Sequence, residues 1–244
     1  TQYGDIQNWK NGREVRRMIW QNDTKYLSEA RAVYTIAGNT SKRLYRYNGL
    51  ESTVLYHPPL GWEKMHCEGY GDTIFYPSRI DPMKRQRRIV EAARYVKSGV
   101  RFVLAGSGAE SEMNYLRDYI ASYDLADRVT LLGFISEEEK RSWYAKCLGV
   151  YFGAFDEDYG YITLEAFYSQ KPVIVHKDAG GPLEFVNDRE NGFVIADNPQ
   201  EIARCADELY YDRARAEKMG TRGRETLREK NMDWDYVIEK LLED

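Results

Sequence analysis

Cysteine and histidine are scarce, at three residues each in a chain of 244. Cys67, Cys147 and Cys205 are odd in number, widely spaced and without a C-x-x-C pair. That argues against a disulfide frame or a cysteine zinc site and suits reduced thiols in a cytoplasmic protein. His57, His66 and His176 are scattered, with nothing resembling metal-ligand spacing, so no metal site is expected. No run of about 18 apolar residues appears, which excludes the usual signature of a transmembrane helix. The first residues, TQYGDIQNWKNGRE, are polar and do not read as a signal peptide. Internal repeats and low-complexity tracts are also missing.

What is there reads as globular: 43% of residues are hydrophobic, and the length is ample for a core. The net charge of −4 is uneven. Residues 1–57 hold nine Lys/Arg against five acids, a net of +4, so the remainder holds 26 basic and 34 acidic residues, a net of −8. The basic stretch is either a solvated helix face or a surface facing anionic lipid or a phosphorylated acceptor. An acidic main body argues against a nucleic-acid partner.

Taken in order, residues 1–57 predict a charged helix over Glu14–Arg31 with Val15, Met18, Ile19, Tyr26 and Leu27 near helical spacing. A strand follows over 32–37, then a helix over Lys42–Tyr47 capped by Asn39-Thr40-Ser41 and closed by Gly49, then a strand over 52–56. His57-Pro58-Pro59 stops it, and residues 58–71 read as a hinge or linker. From Asp72 strand and helix alternate. Expected strands are 73–76, 101–105, 129–132, 150–154, 172–175 and 192–195, apolar runs of the kind found in buried parallel sheets. Helices such as Arg87–Val96 and Glu110–Tyr123 lie between them, and Pro199–Tyr210, Arg213–Arg228 and Trp234–Leu242 finish the chain. The fold class is α/β, a doubly wound parallel sheet over 72–232 with a small partial amino-terminal lobe and a final helical segment over 233–244. Ligands in such sheets bind at the carboxyl ends of the strands.

The stretch 155–166, FDEDYGYITLEA, follows the apolar run 149–155. On one continuous helix Glu157 and Glu165 would stand roughly 12 Å apart along the axis and about 80° apart around it. Gly160 suggests another layout, with Glu157 in a strand-to-helix loop and Glu165 in the second turn of a helix opening near Tyr161. The free N–H groups of that first turn then lie between two carboxylates, with the Thr163 hydroxyl beside them, which describes a phosphate site flanked by acceptors for sugar hydroxyls. The bland alternative is a strand, a turn and a helix with ordinary surface acids. At other strand ends, Arg79 and Lys84 are two cations able to clamp a diphosphate. Gly106-Ser107-Gly108 is a tight turn of small residues. It lacks the dinucleotide-binding fingerprint, because Ser111 occupies the third glycine position. Gly180-Gly181, before Glu184, permits positive φ and close approach to a ligand.

Glu157 and Glu165, with Tyr159-Gly160 and Leu164-Glu165-Ala166, resemble the E-x7-E signature of the retaining GT-B glycosyltransferases of group 1, or family 4. The likeness runs from Asn39 to Leu242. It implies that Arg79 and Lys84 bind the donor pyrophosphate, and that Gly106 and Gly108 let backbone approach the donor. It also implies that backbone at Gly133-Phe134-Ile135 meets the nucleotide base. Glu157 would accept from donor-sugar hydroxyls and Glu165 from the ribose, while backbone at Tyr159, Gly160 and Tyr161, with Thr163, covers the phosphates. Gly181 belongs to the family's GG-x-x-E turn, which Glu184 braces. Two departures stand out: Arg85 where the family has glycine after the lysine, and Tyr159 where phenylalanine is usual. Residues 1–57 resemble the last quarter of the amino-terminal lobe, so a fragment or a naturally short protein is expected, and the Trp234 helix resembles one that crosses back to that lobe.

The activity implied is retaining hexosyl transfer from a UDP- or GDP-sugar to a saccharide or lipid-linked acceptor, without metal or other cofactor and without a covalent carboxylate intermediate. This chain would mainly bind donor and be inactive or weakly active alone, with peripheral membrane contact expected through the rest of that lobe. A second reading is a nucleotide-sugar-binding subunit of a split transferase. A phosphorylase would need a lysine for pyridoxal phosphate and an epimerase further acid and histidine groups, and neither set is found.

Overall fold

A computed structural model describes residues 5–243; residues 1–4 and 244, which the domain reading included, lie outside the described residues. The chain divides into two compact units, Thr1–Tyr56 and His57–Asp244. In the first, helix α1 runs Gly12–Ser28, strand β1 Tyr34–Thr35, helix α2 Gly38–Asn48 and strand β2 Thr53–Val54. The two strands pair in parallel, Tyr34 opposite Thr53 and Thr35 opposite Val54. Both are shorter than the sequence predicts, because a two-stranded ribbon offers each strand a single neighbour and Ile36 stays exposed. Helix α2 starts earlier than expected. Ala37, in extended conformation, is its N-cap, and Asn39-Thr40-Ser41 fall inside the first turn, while Gly49 closes it in the left-handed region (φ 69°). Met18, Ile19 and Tyr26 of α1 are exposed, so their helical spacing did not translate into burial.

The second unit is a six-stranded parallel sheet with helices packed around it. Its strands are β3 (Thr73–Pro77), β4 (Arg101–Ala105), β5 (Val129–Gly133), β6 (Gly149–Phe152), β7 (Val173–His176) and β8 (Gly192–Ile195). Their spatial order is β5-β4-β3-β6-β7-β8. The winding therefore reverses between β3 and β6, which pair through Ile74–Gly149 and Phe75–Val150. Every residue of β3, β6 and β7 is buried, as strands covered on both faces require.

The intervening helices are α3 (Gln86–Ala92), α4 (Glu110–Ser122), α5 (Glu137–Lys146), α6 (Tyr161–Tyr168), α7 (Pro199–Tyr211), α8 (Arg213–Glu229) and α9 (Trp234–Leu242). Helix α3 stops four residues short of the expected Val96. Arg94 and Tyr95 turn to i−3 carbonyls, and the Asp207 carboxylate on α7 takes the N–H groups of Lys97 and Ser98. Helix α5 opens with a capping box in which Ser136 and Glu139 satisfy each other's backbone N–H. Its Tyr144 meets Phe75 of β3 edge to face at 5.3 Å between ring centres.

Residues 58–71 are part of this unit. Glu68 and Gly71 N–H groups donate to the carbonyls of Ala145 and Lys146 at 2.8 and 2.9 Å, and the Tyr70 hydroxyl donates to the Gln170 carbonyl at 2.7 Å. Among the described residues no helix is long and apolar enough to cross a membrane.

At the end of α6 the buried Tyr168 hydroxyl donates to the Met232 carbonyl at 2.6 Å, tying α6 to the segment that leads into α9. Tyr168→Phe leaves that carbonyl unpaired and is expected to cost about 1 kcal/mol, read as a lower midpoint at unchanged slope in urea unfolding.

Candidate functional site

The reversal of winding between β3 and β6 is the place where an open α/β sheet leaves a crevice at its carboxyl edge. Three loops frame it, leaving β3, β6 and β7. They continue the parallel pairing beyond the strands: Phe155 N–H donates to the Met83 carbonyl at 2.9 Å, Asp156 N–H to Asp178 at 2.8 Å and Glu157 N–H to Ala179 at 2.8 Å. Gly181 N–H returns to the Glu157 carbonyl at 2.7 Å. Gly160, at φ 89°, caps α6 in the left-handed region, and a side chain there would run into the Pro182 ring. Gly181 likewise lies too close to the Asp158 carbonyl for a Cβ, so both glycines serve the contact between the β6 and β7 loops.

On this frame the Lys84 ammonium donates to the Glu157 carboxylate, and both side chains are largely covered. The two expected cations have different partners. Arg79 pairs with Asp81 of its own loop, at 3.3 Å, and its side chain is 73% exposed. Its direction is set by this local acid, which spacing alone did not reveal. Arg85 takes the second place instead. It occupies the left-handed region (φ 54°) that a glycine would fill freely, and its guanidinium makes a bidentate pair with Asp178 at 2.8 and 2.7 Å. That pair ties the β3 loop to the β7 loop and holds the Asp178 carboxyl below its usual range. The left-handed backbone costs about 1 kcal/mol for a residue with a side chain, which the clasp offsets.

Helix α6 opens at Tyr161, as expected. Its first N–H groups have no helical acceptors, and Thr163 N–H turns back to the Gly160 carbonyl at 2.9 Å. The Thr163 side chain departs from expectation: it is fully buried, and its hydroxyl has no partner among the described residues. Glu165 is held from α5, accepting from Lys140 Nζ at 2.9 Å and from the Tyr144 hydroxyl at 2.7 Å. Burial, then the charge of Glu165, raises the Tyr144 phenol well above its usual range and keeps it a donor. The sequence carried a signal for this pair, since Lys140 and Tyr144 are four apart and so share one face of α5.

Tyr159 is not an equivalent of phenylalanine. Its hydroxyl donates to the His57 carbonyl at 2.6 Å and accepts from the His57 N–H at 2.8 Å, and its ring stacks on the imidazole. Tyr161 is nearly half exposed and meets His57 Nε2 at 2.6 Å.

Gly106 and Gly108 sit where a Cβ would collide with the Ser78 and Ile80 carbonyls, so they let the β4 loop lie against the β3 loop. At the end of β5, Gly133 takes φ 69°; Phe134 after it is 86% exposed and Ile135 half-buried. Glu184 lies in the short 3₁₀ turn Gly181–Glu184. Asp156 and Asp158 flank Glu157 and are exposed; among the described residues no three His, Cys, Asp or Glu side chains are grouped to hold a metal ion.

Beneath the site lies a group that sequence reasoning passed over. His176, at the end of β7, is fully buried, with Nε2 2.7 Å from the Tyr151 hydroxyl and Nδ1 without a partner among the described residues. Burial lowers its pKa from 6.5 to about 4. The neutral imidazole is thus favoured in the fold, so its contribution is complete above pH 6.5 and is lost as pH falls toward 4. Stability measured by denaturant titration is expected to fall by about 2 kcal/mol from this group between about pH 7 and pH 5, and His176→Leu removes that share of the slope. For the clasp, Arg85→Gly relieves backbone strain while losing the pair and is expected to be close to neutral. Asp178→Ala keeps the strain and costs about 1–2 kcal/mol, so comparing the two unfolding midpoints separates strain from pairing.

Residues 69–226 match the family model described as glycosyl transferases group 1. Among curated proteins, the alpha-1,3/1,6-mannosyltransferase ALG2 of Homo sapiens is 28% identical over 137 residues, 54% of this chain and 33% of that protein. The GDP-mannose-dependent alpha-(1-6)-phosphatidylinositol monomannoside mannosyltransferase of Mycobacterium tuberculosis is 30% identical over 191 residues, 73% of this chain and 48% of that protein. The chain spans about a third to a half of the length of the curated relatives it matches. Among solved structures, Anabaena Alr3699/HepE in complex with UDP and glucose superposes with a TM-score of 0.81 at 19% identity, covering 92% of this chain and 65% of that one. The S. aureus TarM G117R mutant does so with a TM-score of 0.79 at 20% identity, covering 99% of this chain and 48% of that one. These likenesses carry the fold, a Rossmann-like lobe of the GT-B kind, and the family match extends over well more than half of the sequence. The chain belongs to the group 1 glycosyl transferases.

Proposed function

We propose that this chain binds a nucleoside-diphosphate sugar in the crevice between β3 and β6 and serves hexosyl transfer from it to an acceptor hydroxyl. The observation that carries this reading is the Lys84–Glu157 pair, which joins the loop after β3 to the loop after β6. Each charge is neutralised by the other before a ligand arrives, so neither has to be buried alone. When a diphosphate arrives on the free N–H groups of α6, Lys84 turns to the anion and Glu157 is released to accept from sugar hydroxyls. Glu165, oriented by Lys140 and Tyr144, keeps lone pairs for the ribose. Phe134, exposed on the loop after β5, offers a face to the base.

In this proposal Lys84 and the helix amides stabilise the charge that builds on the leaving diphosphate, so transfer needs no metal. The acceptor attacks from the face the leaving group vacates, with retention and without a covalent bond to Glu157. Mannosyl transfer named for the relatives supports a hexosyl donor, and the monomannoside named for one supports a saccharide or lipid-linked acceptor. UDP named in one solved neighbour and GDP-mannose in one relative make both bases candidates. The role assigned to this chain is donor binding, because its first unit buries only Gly12, Thr35, Ala37 and Leu55 among its described residues. Such a unit gives an acceptor little wall.

Calorimetry with UDP, GDP and their hexose derivatives tests this. One nucleoside diphosphate is expected to bind with EDTA present, and Lys84→Ala to weaken it by roughly tenfold or more. Glu157→Gln is expected to weaken the nucleotide sugar while sparing the free nucleotide. Binding indifferent to Lys84, or none at all, overturns the reading.

A further inference from the structure

At the amino-terminal ends of the same strands lies a cluster that donor binding does not use. Cys67 precedes β3, Cys147 precedes β6 and Lys171 precedes β7. Lys171 is fully buried; its Nζ donates to the Gly69 carbonyl, stands 3.2 Å from Cys67 Sγ and lies 4.2 Å above the centre of the Tyr70 ring. Cys67 is partly exposed, whereas Cys147 is buried with its thiol 3.5 Å from the Tyr144 carbonyl. Burial pushes the Cys147 thiol up to about 12, which keeps it protonated and unreactive. An oxidant from solvent therefore meets Cys67 first, and the nitrogen already in contact with that sulfur is Lys171.

We propose that Cys67 and Lys171 form an oxidation-sensitive cross-linking site, in which a peroxide-class oxidant converts Cys67 to a sulfenic acid that the Lys171 amine captures. In the first step the peroxide O–O bond breaks, sulfur loses two electrons and takes one oxygen, and one water leaves. The nitrogen lone pair, available once the ammonium has released a proton to solvent, then attacks sulfur. The S–O bond breaks, a second water departs with a proton from nitrogen, and an S–N bond remains. No further oxidant is consumed, and a thiol reductant reverses the link by exchange at sulfur. The bond joins the 58–71 segment to the start of β7, at the sheet edge opposite the donor crevice.

The test is hydrogen peroxide treatment of the full chain, alkylation of remaining thiols, and peptide mapping by mass spectrometry before and after dithiothreitol. Expected is a dithiothreitol-reversible pair of peptides bearing Cys67 and Lys171, lighter by two hydrogens. Cys67 should lose its alkylation roughly tenfold faster than Cys147 and Cys205. Cys147→Ser should retain the pair, and Lys171→Met should lose it. A linked pair carrying one added oxygen, formed if a second peroxide first oxidises the amine to a hydroxylamine, supports the same site. A Cys67–Cys147 disulfide that vanishes in Cys147→Ser overturns the proposal, as does Cys67 sulfinic acid with Lys171 unmodified. Because the wild-type map alone distinguishes these products, the proposal stays falsifiable even if Lys171→Met fails to fold.

Discussion

A parallel sheet whose winding reverses between two adjacent strands sends the loops of those strands in opposite directions, and no helix covers the edge between them. Here the strands are β3 and β6, and the ion pair of Lys84 with Glu157 spans the edge they leave open. Everything else at that edge supports the pair. The ladder of backbone bonds from Met83 through Phe155 and from Asp178 through Asp156 fixes the three loops as one surface. The Gly160 cap then turns the chain into α6 directly after the loop that carries Glu157.

The polar groups nearest the crevice are held by partners, which limits their motion before a ligand binds. Arg85 is clasped by Asp178, Glu165 by Lys140 and Tyr144, and Tyr159 by the backbone of His57. Two of these contacts arise where the chain departs from its family's pattern. An arginine in a left-handed position and a tyrosine in place of phenylalanine both introduce a polar group, and both groups find partners outside their own loop. Such changes are tolerated because the cost of strain, or of burying a hydroxyl, is matched by a hydrogen bond of similar size.

The opposite edge of the sheet follows a different logic. Lys171 is buried among a carbonyl, a thiol and an aromatic face. A cation in such surroundings is held by dipoles and a ring, which leaves its nitrogen beside the one partly exposed thiol.

The apolar runs after Asp72 and the glycines at the strand ends were enough to name the fold, the strands to within a residue or two at each end, and the start of α6. These are local properties, since strand burial and the helix mouth follow from consecutive residues. The length of α3 was not local, because the segment after it is held by Asp207 of another helix, which takes the N–H groups of Lys97 and Ser98. Nor were the directions of side chains. Arg79 and Lys84 look alike in the sequence, yet one is claimed by Asp81 beside it and the other by Glu157 across the sheet. Thr163 reads as a ligand group, yet its side chain is fully buried. By itself, then, the sequence determined which strands end in the loops of the carboxyl edge. Only the tertiary structure decided which of their side chains face one another, because a long charged side chain turns to whatever opposite charge the fold brings within a few ångströms.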